Sequence, residues 1–171
     1  MRTTTRRFVP AGILAALLLA TAPPASAADF VVDLPSGVAC PGFAVRVASV
    51  GGNLQTREFT DEAGNVVRTI AAGKGATLTF TNLGPLGTTP GKSVTLRPNG
   101  SVTRTATSPD GTVTYTSTGH NVLILFPTDV PAGPTTTQYI GNYVFTVDPI
   151  SGVFTLLSTS GRSVDICAEL A

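Results

Sequence analysis

Ala76-Thr77-Leu78-Thr79-Phe80-Thr81 sets a polar β-branched side chain against a larger apolar one at every second position. Period two is the signature of a strand with one face buried and one face wet. The same alternation recurs in Val94-Thr95-Leu96 and in Val113-Thr114-Tyr115-Thr116. No segment beyond the N-terminal leader sustains a helical period. Between the runs lie Asp61-Glu62-Ala63-Gly64-Asn65, Pro98-Asn99-Gly100, Pro109-Asp110-Gly111 and Asp148-Pro149-Ile150-Ser151-Gly152. These residues close turns: Pro presets one dihedral, Asn and Asp tolerate the left-handed region, and Gly takes positive φ. The chain is expected to reverse at each of them.

The pattern predicts strands over 43–50, 54–60, 65–71, 76–82, 92–97, 101–107, 112–118, 121–126, 138–147, 153–159 and 163–169. Short strands at this spacing make an all-β, single-domain antiparallel β-sandwich of jelly-roll or immunoglobulin-like type, with a closed β-barrel as the alternative. The expected core is Phe43, Val45, Val47, Leu78, Phe80 and Val94, continued by Leu96, Leu123, Leu125, Phe145 and Val147.

Two segments break the alternation. Asn121 to Phe126 has no polar face and reads as a central strand covered on both sides. Pro127 to Thr137 holds Pro127, Pro131, Gly133 and Pro134 and cannot join a ladder. It is the longest irregular connection, and ordered loops of that kind often carry binding sites.

Residues 1–27 read as a secretory signal peptide. Arg2, Arg6 and Arg7 precede an apolar run through Ala20, and Ala25-Ser26-Ala27 offers small residues at the cleavage point before Ala28. The run is shorter than the about 20 residues that cross a bilayer and ends at Pro23-Pro24. Arg6-Arg7 is also compatible with twin-arginine export, although Phe8 and the Leu-rich middle suit the general route. The mature domain is then 28–171, secreted, with no membrane span. The leader removes three arginines, so the remaining chain is slightly acidic with neither sign concentrated in any stretch. Nucleic acid and anionic lipid, which need clustered positive charge, are poor partners on this reading.

Cys40 and Cys167, one near each end of the mature chain, are the only cysteines. An even count in an exported protein reads as a disulfide, here tying the first strand to the last.

Gly87-Thr88-Thr89-Pro90-Gly91-Lys92-Ser93 looks like a phosphate loop, but it is one residue short between its glycines and runs into a strand instead of a helix. Asn99-Gly100-Ser101 matches a glycosylation acceptor and reads more simply as a turn. One histidine and two paired cysteines leave only turn carboxylates as metal ligands, so neither metal nor cofactor is expected.

His120 is the only histidine. A hydrolase would use it as base, with Asp129 to orient it and Ser117 or Ser163 to attack, yet there is no nucleophile elbow and no pair of acids to serve a glycosidase. The simpler reading makes Gly119-His120-Asn121 a turn into the central strand. Tyr115 and Tyr143 fit a core, which leaves Tyr139 as the exposed aromatic beside the Pro-rich loop. The candidate binding residues are therefore His120, Asn121, Asp129 and Tyr139.

Gly64-Asn65-Val66-Val67-Arg68-Thr69, Gly119-His120-Asn121-Val122-Leu123, Phe126-Pro127-Thr128-Asp129 and the ending Asp165-Ile166-Cys167 resemble an uncharacterised family of small secreted actinobacterial all-β proteins. The resemblance spans nearly the whole mature chain and implies export and one β domain, with no activity attached. The reading that follows is a monomeric, non-catalytic binding or cell-envelope-associated protein. The alternative is a small extracellular hydrolase using His120.

Overall fold

The computed structural model describes residues 29–171, so the expected signal peptide over 1–27 lies outside the described residues. Ten strands and one short helix form two antiparallel sheets. β1 (Phe30–Leu34), β2 (Val45–Val50), β5 (Thr77–Asn82) and β6 (Ser93–Leu96) make a four-stranded sheet in the order β1-β2-β5-β6. The other sheet holds β3 (Asn53–Thr60), β4 (Val66–Lys74), β7 (Val102–Thr107), β8 (Val113–Leu125), β9 (Thr135–Val147) and β10 (Phe154–Asp165), in the order β10-β9-β8-β7-β4-β3. The fold is an all-β sandwich. Both sheets keep open edges, so the barrel alternative does not describe it. Among the described residues no helix is long and apolar enough to cross a membrane.

Thr77–Asn82 behaves as its alternation dictates. Phe80 is buried and Leu78 packs beside it, while the Thr79 and Thr81 hydroxyls bond across the outer face to Thr95 and Ser93. Every expected core residue packs into one of two clusters. The first, between the sheets, gathers Val45, Val47 and Phe80 around the buried Cys40–Cys167 disulfide, whose Cα atoms are 5.4 Å apart. The second lies on the other face of the six-stranded sheet, where Leu123, Leu125, Tyr143 and Phe145 are buried and Tyr115 and Phe154 pack against them. Asn121 to Phe126 runs between the two: Val122 and Ile124 reach the first cluster, and Leu123 and Leu125 the second. Its expected cover on both sides is thus met up to Leu125; Phe126 is exposed.

Five local expectations are corrected. The disulfide does not join strand to strand. Cys40 sits in the turn between β1 and β2, and Cys167 in α1 (Ile166–Leu170). Strand gives way to helix there because the Asp165 carboxylate accepts the Ala168 amide, and Ile166 and Leu170, one helical turn apart, are both buried. The Asn82 side-chain amide caps the Leu170 carbonyl at 3.0 Å. β1 lies outside the expected strands because its apolar side chains, Phe30, Val31 and Val32, are exposed and show no buried face. Pro98-Asn99-Gly100 turns the chain but closes no hairpin: β6 pairs with β5 in one sheet, whereas β7 pairs with β4 and β8 in the other. Gly119-His120-Asn121 is no turn, since pairing with β9 continues unbroken through Gly119↔Gly141 and His120↔Ile140, making 112–118 and 121–126 a single strand. The same holds for 153–159 and 163–169, which β10 joins through Gly161 as far as Asp165.

These glycines share one line across the sheet. Gly119 faces Gly141, which faces Gly161, with φ of 89°, 150° and 93°. Following the register through β7 brings the line to Gly73 of β4, φ 145°. Only glycine occupies positive φ at little cost, and a Cβ at Gly141 would lie 2.2 Å from the Ser160 carbonyl oxygen. The strands bend here. A straight ladder of 13 residues would span roughly 40 Å. Yet the Val130 amide, five residues past the end of β8, reaches the Phe154 carbonyl beside the other end at 2.8 Å. Five residues cover about 17 Å at most, so β8 and β9 must fold over. The bend wraps the outer halves of β8 and β9 over the second core.

Candidate functional site

The loop between β8 and β9 is built on Asp129. Its carboxylate, 5 % exposed, accepts the Phe126 amide at 2.7 Å and the Phe154 amide at 3.0 Å. Backbone bonds of Val130 with Phe154 and Leu156 then lay the loop along β10. Gly133 fits tightly, since a Cβ there would meet the Leu125 carbonyl oxygen at 1.9 Å. Asp129 is a structural clasp with both oxygens engaged.

His120 points to the other face from the second core. It is exposed, and its Nδ1 lies 3.3 Å from the Asn99 carbonyl oxygen. Among the described residues no carboxylate comes within ion-pairing distance of it; the ion pair present is Arg46 with Asp33, at 2.7 Å. Ser117 is buried on the opposite face and bonds to the Thr103 hydroxyl at 2.9 Å. Ser163 is exposed on β10 opposite Tyr139.

Asn121 is held by its neighbours: its Oδ1 accepts the Ser101 hydroxyl and its Nδ2 donates to the Thr118 carbonyl. It lines a cleft of about 230 Å³ where the two sheets part, together with Leu54, Ala76, Leu78, Ser101 and Val122. Tyr139 lies on the concave side, its ring 5.3 Å from that of Tyr143. Burial raises the pKa of both phenols above the ordinary value of 10.0, against the opposing pull of hydrogen bonds from Thr137 and Ser117. From Tyr143 the stack continues through Phe145 to Tyr115 and Phe154 with centroids 4.6–5.6 Å apart. Of the four residues singled out in the sequence, the register sets Asn121 and Tyr139 opposite each other across β8 and β9, whereas His120 takes the other face and Asp129 the interior of a loop.

What the sequence conceals is a charged cluster. Arg57, Ile70 and Arg104 stand directly opposite one another across β3, β4 and β7, and Phe59 stands opposite Arg68 one row along. The Arg57 and Arg68 guanidinium carbons lie 5.1 Å and 4.5 Å from the Phe59 ring centroid. The linear sequence concentrates neither sign of charge; the register gathers three arginines on one face. Among the described residues no three His, Cys, Asp or Glu side chains group as a metal site would require. Asp61 and Asp148 at the hairpin tips are occupied by backbone amides, of Ala63 and Asn65 for one and of Ile150 and Ser151 for the other.

Compared with known proteins, the chain matches no family model, no curated sequence and no solved structure.

Proposed function

We propose that the chain is exported and works outside the cell, as a monomer, as a non-catalytic binding or envelope-associated protein. One observation carries this reading: His120 and Asp129 do not meet, since no carboxylate among the described residues lies within ion-pairing distance of His120 and both oxygens of Asp129 are taken by the Phe126 and Phe154 amides. A general base needs its partner within hydrogen-bond reach. The six-stranded sheet offers instead a broad surface whose side chains are fixed by cross-strand pairing, which suits recognition at low entropic cost. The buried disulfide supports an oxidising compartment.

The test compares the wild type with His120→Ala on a panel of esters, peptides and glycosides, alongside mass spectrometry of whatever the exported protein retains from culture fluid or cell-wall extract. The expected result is no turnover by either form, a retained molecule in both, and stability changed by less than about 0.5 kcal/mol, as for an exposed side chain. Turnover that disappears in His120→Ala would overturn it.

A further inference from the structure

Arg57, Arg68 and Arg104 are exposed, lie on adjacent strands of one sheet face, and have no carboxylate within 4.0 Å among the described residues. Strands repeat at about 4.8 Å, so Arg57 and Arg104, two strands apart, are based about 10 Å from each other, with Arg68 offset on the strand between. Two of the guanidiniums share one aromatic ring. Like charges held together without a counter-ion repel, and a bound anion relieves that repulsion while accepting the paired N–H donors that a guanidinium presents.

The rest of the face tells what the anion belongs to. Beyond Arg68 and Ala106 the same register row runs into Thr114, Thr146 and Thr155; the neighbouring row brings Thr116 beyond Arg104, and the next adds Thr118. Glu58, adjacent in sequence to Arg57, projects to the opposite face by strand alternation. The surface is thus cationic over three strands and hydroxyl-rich over the next three, matching a chain that carries both anions and hydroxyl groups. Stacking of nucleobases needs a free aromatic face, and the Phe59 ring already has two guanidiniums on it.

We infer that this face, made by Arg57, Arg68 and Arg104 with the threonines beside them, binds an acidic polysaccharide through its carboxylates. The inference rests on the binding reading above and specifies its ligand class.

The experiment is a calorimetric titration of the full mature protein with polygalacturonate, with neutral dextran and a DNA duplex as comparisons. Polygalacturonate is expected to bind with affinity that falls as salt rises, and dextran to bind at least tenfold more weakly. The triple variant Arg57→Gln, Arg68→Gln, Arg104→Gln is expected to lose at least tenfold in affinity, and Arg104→Gln alone, which disturbs no aromatic contact, several-fold. Arg162→Gln, on β10 away from the cluster, should bind like the wild type. Absence of polygalacturonate binding, retention of it by the triple variant with an unchanged circular dichroism spectrum, or tighter binding of DNA would each overturn the inference. The hydrolysis panel reads the binding role separately: no turnover with no polyuronate affinity removes only the ligand class.

Discussion

Asp129 and Phe154 are 25 residues apart, and the carboxylate of the first accepts the amide of the second at 3.0 Å. That bond, with the one to Phe126, holds the β8–β9 loop on the edge strand. Hydrogen bonds to an ionised group contribute about 1.5–3 kcal/mol, so Asp129→Ala should lower the unfolding free energy by about 2–4 kcal/mol once the orphaned amides are counted. Urea denaturation measures it, and amide exchange at Phe126 and Phe154 should quicken in the same variant.

The glycine line makes a differential prediction. Gly141→Ala puts a Cβ against the Ser160 carbonyl oxygen, and Gly119→Ala puts one 2.3 Å from that of Gly100. Each should cost about 2–4 kcal/mol from backbone strain and overpacking together. Gly152, φ 70°, has nothing within 4 Å of its added Cβ, so Gly152→Ala should cost only the backbone term of about 1–2 kcal/mol. Equal losses at Gly141 and Gly152 in chemical denaturation would contradict the bend.

Reducing Cys40–Cys167 opens a loop closed over a sequence separation of 127 residues. The chain-entropy relation gives a loss of about 4–5 kcal/mol. Thermal melts with and without reductant read it, and the double variant Cys40→Ala, Cys167→Ala should melt near the reduced protein.

Acid should loosen the hairpin tips at Asp61 and Asp148. Amides and the hydroxyl of Ser151 hold Asp148 below the ordinary carboxyl value of 3.8, and the Asn65 backbone amide and side chain do the same for Asp61. The fold therefore favours the ionised forms. Their contribution is complete above the unfolded value and is lost as pH falls through the lowered folded one. Melting temperature should drop across that acid range, and Asp61→Asn, Asp148→Asn should flatten the drop.

How far the fold was legible depends on which residues advertise themselves. Thr77–Asn82 could be read because one face is buried and the other wet. β1 could not, because Val31 and Val32 stay exposed although their backbone pairs with β2. Gly119 and Gly161 fall between the expected strands, since glycine in a strand signals a break or a bend alike and only pairing tells which. The site was least legible. His120 and Tyr139 are close in the chain only by way of a loop, and strand alternation sends them to opposite faces. Arg57, Arg68 and Arg104 are scattered in the sequence and meet only through the register of three strands.

The glycine line also acts as a vernier on assembly. Sliding β9 by one position against either neighbour would move Gly141 off the line and carry a side chain onto a carbonyl oxygen, while inverting every inward-facing group of the strand. Mispaired ladders are thereby penalised twice, and at the same level in successive strands. A sheet with open edges and little helix gains from this an alignment mark that the chain can satisfy in one arrangement.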